Sequence, residues 1–67
     1  MDNYEYLKKL KPKWWQSDDI VITVAHILNE EEVLTDVDDT ITFFEKPWAY
    51  EDDIRKIIED HEEEEED

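Results

Sequence analysis

The segment that decides the fold is residues 35–48, TDVDDTITFFEKPW, which carries the clearest helix boundaries in the chain. Thr35 is placed to accept a free backbone N–H as the N-cap. Asp38, three residues later, can reach back as in a capping box. Pro47 ends the segment because proline lacks an N–H and restricts the residue before it. These signals predict a short helix that begins after Thr35 and stops before Pro47.

The apolar residues of this helix predict which side faces the core. Val37, Ile41 and Phe44 are spaced i, i+4 and i+7, so they lie on one face of a helix. We therefore expect these three side chains to point inward.

Size and composition favour helices joined by polar connectors. The chain has 67 residues, which allows one small domain with a modest core. It contains no glycine, which disfavours tight hairpin turns and phosphate-binding loops, and no cysteine, which excludes disulfides and thiolate metal sites. We expect no cofactor and no metal.

The charge is strongly negative. Acidic side chains number 22 against 7 basic ones, for a net charge of −15. Without the six acids of residues 62–67, 16 acids against 7 bases leave −9, so the folded part is itself acidic. This charge repels nucleic-acid phosphates and anionic membranes, and it favours basic partners. With no secretory signal and no long apolar segment, we expect a cytoplasmic protein.

The rest of the chain supplies further helices. Residues 1–13 predict a short first helix with Asp2 as N-cap, residues 17–29 a second and residues 50–61 a last one. The sequence thus predicts an all-α bundle of three main helices plus a short N-terminal helix, forming one domain over 1–61, with 62–67 as a disordered acidic tail. An α+β fold, with antiparallel strands at 20–28 and 40–45, stays open as the alternative.

Two adjacent tryptophans, Trp14 and Trp15, precede the second helix. Neighbouring aromatic residues usually divide between the core and the surface, so we expect one of them to stay partly exposed. An exposed tryptophan is a candidate anchor for a protein partner.

The acidic segment DVDDT, residues 36–40, resembles the nucleophile motif of haloacid-dehalogenase-type phosphatases. No hydrophobic strand precedes it, and the chain is too short for that fold. An EF-hand loop starting at Asp36 would place Ile41 at the glycine position and Pro47 at the bidentate glutamate position, which excludes it. Helix-start electrostatics explains the same acids. Neither histidine has a neighbour that completes a catalytic set, so we expect no enzyme activity.

The box FFEKPW, residues 43–48, resembles small uncharacterised proteins of tailed bacteriophages. The resemblance covers residues 34–50 and implies a helical fold and a phage setting, hence the cytoplasm of the host cell. It implies no catalytic residues.

Two functions fit these features. The first is an acidic protein-binding module, an inhibitor or modulator that docks on a basic, nucleic-acid-binding surface of a host protein as a DNA mimic does. The second is a small structural or assembly protein that forms homo-oligomers, or binds a larger protein, through exposed aromatic residues. The residues predicted to contact the partner are Glu30, Glu31, Glu32, Asp36, Asp38, Asp39, Asp52, Asp53, Trp15 and Trp48.

Overall fold

The computed structural model describes residues 3–65, with side chains through Glu62, and contains no strand in that part of the chain. The all-α prediction is confirmed, and the alternative with strands at 20–28 and 40–45 is not found. The four helices are α1 (Asn3–Lys8), α2 (Asp18–Glu30), α3 (Val37–Glu45) and α4 (Glu51–Glu65), and two 3₁₀ turns lie at Trp14–Gln16 and Pro47–Tyr50. The first helix is shorter than predicted, and its predicted N-cap Asp2 lies outside the described residues.

Helix α2 is the central element of the core. Its buried residues are Val21, Val24, Ala25, Ile27 and Leu28. Val21, Val24, Ala25 and Leu28 are spaced i, i+3, i+4 and i+7, so they lie on one face of the helix, and that face packs into the core. Length and position in the fold therefore prevail here over the strand preference of valine and isoleucine.

The end of α2 turns sharply without glycine. Glu32 takes a left-handed conformation with φ of 62°. The N–H of Val33 donates to the carbonyl of Leu28 at 2.9 Å, and the N–H of Glu32 donates to the carbonyl of Asn29 at 3.2 Å. These two bonds form a Schellman motif, which satisfies the last carbonyls of the helix. The turn directs the chain back toward the start of α3.

The predicted inward face of α3 is wrong. Phe43 is fully buried, whereas Val37, Ile41 and Phe44 are 73%, 52% and 48% exposed. The reason is tertiary: Phe43 packs between Trp14, whose ring centroid lies 6.2 Å away, and Tyr50, at 5.3 Å. One large ring in this aromatic cluster outweighs three apolar side chains on the adjacent face.

Helix α4 is longer than predicted and includes residues assigned to the acidic tail. It continues through Glu65, four residues past the predicted end, while Glu66 and Asp67 lie outside the described residues. Glutamate is a good helix former, and extending an existing helix costs far less than starting one. An ion pair of 3.8 Å between Lys8 and Glu62 links this extension to α1.

Candidate functional site

Two acids at the end of α2 are held by neutral side chains of α1. The amide nitrogen of Asn3 donates to Oε1 of Glu30 at 2.7 Å. The Tyr4 hydroxyl lies 3.3 Å from both carboxylate oxygens of Glu31. These bonds hold the two side chains against α1.

The acids at the start of α3 form the helix cap, one residue later than the sequence predicted. Asp36, not Thr35, is the N-cap, and its Oδ1 accepts the N–H of Asp39 at 2.9 Å. Asp39 reaches back to accept the Thr35 hydroxyl at 3.0 Å and the Thr35 N–H at 3.3 Å. Aspartate is as good an N-cap as threonine, so capping preference alone does not decide between Asp36 and Thr35. The helix position that buries Phe43 has Asp36 at the cap. Asp38, the predicted partner in the capping box, is exposed instead.

A groove between the α2–α3 loop and α4 gathers further acids. Its volume is about 380 Å³, and Glu31, Asp53 and Asp60 line it together with Lys56. The rings of Tyr4 and His61 stack against each other at one side, with centroids 3.6 Å apart. The other lining residues are Val33 and Ile57.

The hydroxyl of Tyr50 is influenced by acids of both α3 and α4. Partial burial raises the pKa of Tyr50, and the negative charges of Asp39 and Asp53 raise it further. Two carboxylates from different helices therefore act on the same hydroxyl. Asp53 also lines the groove with Glu31, Glu30 precedes Glu31 at the end of α2, and Asp36 caps α3 next to Asp39. We therefore treat the acids at the end of α2, the start of α3 and the first turn of α4 as one surface. We call this surface the acidic end; it consists of Glu30, Glu31, Asp36, Asp39 and Asp53.

The carboxylates of the acidic end form no ion pair within the part of the chain that the structure describes. None of its carboxylates lies within 4 Å of a lysine or arginine nitrogen in the described part of the chain, although Lys56 borders the groove. The ion pairs of Lys8 with Glu62 and of Arg55 with Asp52, the latter at 4.0 Å, lie elsewhere and are exposed. Four of the five carboxylates of the acidic end, those of Glu30, Glu31, Asp36 and Asp39, instead accept hydrogen bonds from neutral donors.

The other predicted contact residues are not part of this surface. Asp52 pairs with Arg55, and both Glu32 and Asp38 are exposed without a side-chain hydrogen bond. Trp14 is buried and Trp15 is partly exposed, so the expected division of the tryptophan pair is confirmed.

Trp48 is half-exposed on the 3₁₀ turn before α4. Asp60, which lines the groove, and the neutral donors Asn3 and Tyr4 were not predicted from the sequence. Each donor lies 27 residues before the glutamate that it holds, and no local sequence pattern indicates such a long-range hydrogen bond.

A second surface, also missed, runs along α3. Val37, Ile41 and Phe44 form a solvent-exposed row, which we call the α3 row. A groove of about 320 Å³ adjoins Phe44 where the end of α3 lies beside the start of α2. Its other lining residues are Trp15, Asp18, Val21, Ile22 and Pro47. The apolar spacing of the row was visible in the sequence, but its direction was not.

Comparison with known proteins finds no matching family, no similar curated protein and no similar solved structure. Within residues 3–65 no helix is long and apolar enough to cross a membrane. In the same part of the chain no three His, Cys, Asp or Glu side chains are grouped as metal ligands.

Proposed function

We propose that this protein is an acidic protein-binding module whose acidic end docks on a basic, nucleic-acid-binding surface of a partner protein. One observation carries the proposal: neutral donors orient four of the five carboxylates of the acidic end, all but that of Asp53, and none of the five pairs within 4 Å with a lysine or arginine nitrogen in the described part of the chain. Glu30 and Glu31 are held by Asn3 and Tyr4, and Asp39 is held by Thr35. A structural ion-pair network would instead place cations beside these acids.

Fixed, unneutralised carboxylates suit the recognition of cations. Side chains that are already oriented lose less conformational entropy on binding, so more of the attraction appears as affinity. Their field also attracts a basic partner over distances of about a Debye length, which speeds association. A nucleic-acid-binding surface displays lysines and arginines spaced for phosphates, and carboxylates at the acidic end would occupy those positions as a DNA mimic does. The resemblance of residues 43–48 to phage proteins makes a bacterial host enzyme the candidate partner.

The alternative function is a small assembly protein that associates with itself or with a larger protein through apolar contacts. Phe44 and Trp48, both about half-exposed, favour this reading. Light scattering across a concentration series distinguishes self-association from binding to a larger protein. A protein that stays monomeric at high concentration does not self-associate.

The test is capture of partners from bacterial lysate by the immobilised protein, followed by mass spectrometry. One variant replaces Glu30 and Glu31 by Gln and Asp53 by Asn, which keeps hydrogen-bond acceptors but removes three charges. The matched control, with Asp19→Asn, Glu51→Gln and Glu59→Gln, loses three exposed charges elsewhere.

We expect the wild type and the control to retain a nucleic-acid-binding protein that high salt or added DNA releases. The acidic-end variant should lose it. Retention that ignores salt, or equal loss by both variants, contradicts the proposal.

A further inference from the structure

The α3 row is an apolar surface left open on an otherwise highly charged protein. Val37, Ile41 and Phe44 occupy successive turns of one face, and each has about half or more of its surface exposed. On a helix of nine residues these are three of the four large apolar side chains. Single exposed apolar residues are common, but an ordered row of them marks an interaction surface.

The row leads into the groove between α2 and α3. Phe44 belongs to both, and Ile22 on the facing helix is itself 49% exposed. The volume of about 320 Å³ corresponds to roughly ten water molecules at ~30 Å³ each, which is enough room for a large apolar side chain. Asp18 is the one charged residue in the lining. A partner would therefore meet an apolar pocket with a carboxylate at its edge.

Carboxylates also border the row itself. At 100° per residue, Asp38 and Glu45 project from α3 directly beside Ile41, and both are exposed. Asp36, which is part of the acidic end, stands at the start of the row. Lys46, just past the last residue of the helix, is the nearest cation in the sequence. The border of the apolar row is thus predominantly negative.

We propose that the α3 row and its groove bind the apolar face of a basic amphipathic helix. One large apolar side chain of that helix fills the groove, and lysines or arginines beside it face Asp18, Asp38 and Glu45. This inference rests on the proposed function, because the helix is taken to belong to the same basic partner that docks on the acidic end. A second copy of the chain fits poorly, since it would bring another net charge of −15 against the same border.

The test uses a synthetic peptide of about 18 residues, or five helical turns, made of leucine and lysine with all leucines on one face. A second peptide has the same composition, with the leucines distributed around the helix. We expect fluorescence anisotropy at physiological salt to show at least tenfold tighter binding of the amphipathic peptide. An Ile41→Ser, Phe44→Ser variant should lose that preference, and Phe44→Ala alone should reduce it. Trp48→Ser removes an equally exposed aromatic residue outside the row and should retain it.

Several results would overturn the inference. They are equal binding of the two peptides, an unchanged preference in the Ile41/Phe44 double variant whose helix content is confirmed by circular dichroism, or loss of the preference in Trp48→Ser. A wild-type dimer that the double variant dissociates would assign the row to a second copy instead. If the acidic-end variant loses lysate binding while the double variant keeps it, the proposed function stands and only this inference fails.

Discussion

Alanine substitution of the two adjacent phenylalanines of α3 tests which face of the helix points toward the core. The substitution at the inward position should cost much more stability than the one at the outward position. Phe43 is fully buried and packs against Trp14 and Tyr50, whereas Phe44 is 48% exposed. The substitutions are chemically identical and differ by one position in the sequence. The structure therefore predicts a large loss of stability for Phe43→Ala and a small one for Phe44→Ala.

The expected magnitudes follow from burial. Removing a buried phenylalanine costs about 3–5 kcal/mol, because transfer energy is lost and a cavity remains. Phe44 gains about half of the ~1.5–3 kcal/mol available to a fully buried side chain, so its loss costs about 1 kcal/mol. At ~0.05–0.15 kcal/mol per residue, the free energy of unfolding of this chain is about 3–10 kcal/mol. The loss expected for Phe43→Ala is therefore a large fraction of the whole free energy of unfolding.

Urea unfolding followed by circular dichroism at 222 nm measures both losses. With a slope of about 1 kcal/mol per molar urea, Phe44→Ala should lower the midpoint by about 1 M. Phe43→Ala should lower it by about 3 M or leave the chain unfolded without urea. Phe43→Leu, which leaves a smaller cavity, then provides a folded comparison. Equal losses, or a larger loss for Phe44→Ala, would refute the assigned face of α3.

Three further predictions concern single positions. Glu32→Gly should raise the free energy of unfolding by about 0.5–1 kcal/mol in urea titrations, because glycine adopts the left-handed conformation without the steric cost of a Cβ. Asp36→Ala should lower it by about 1 kcal/mol, whereas an unchanged value would argue against Asp36 as the N-cap. Tyr50 holds its proton more tightly in the folded state, so its contribution to stability should be present at neutral pH and lost as pH rises above about 10 through the raised pKa. Absorbance titration near 295 nm, with Tyr50→Phe as the reference, should show that Asp53→Asn lowers this pKa.

The helices were predictable because their signals are local. The apolar face of α2, the acidic first turn of α3 and the proline before the last helix each act within a few residues. The same holds for the tryptophan pair, whose division between core and surface follows from adjacency.

The direction of α3 was not predictable from its own residues. Its sequence offers two apolar faces, a row of three side chains and the single ring of Phe43, and periodicity favours the larger set. The outcome depends on Trp14, which lies 29 residues before Phe43, and on Tyr50, which lies beyond the end of α3. The one-residue shift of the cap from Thr35 to Asp36 accompanies the same choice of register.

The acidic end was predictable in part. Charge and helix-start preference indicated most of its residues, but the sequence could not distinguish carboxylates held by neutral donors from those paired with cations. Asn3 and Tyr4 lie 27 residues away from the glutamates that they hold. Adjacent acids such as Asp38 and Asp39 differ by 100° around the helix, so they belong to different surfaces.

The arrangement of the carboxylates, as distinct from their number, is tested most directly by comparing two variants of equal net charge. The acidic-end variant at Glu30, Glu31 and Asp53 and the control at Asp19, Glu51 and Glu59 both carry −12 in place of −15. Their affinities for a peptide made of lysine alone, which has no apolar face to occupy the α3 row, should be measured over a series of salt concentrations. We predict that the acidic-end variant binds about tenfold more weakly than the control and depends less steeply on salt. Identical affinities and salt slopes for the two variants would show that overall charge alone governs binding, and would contradict the account.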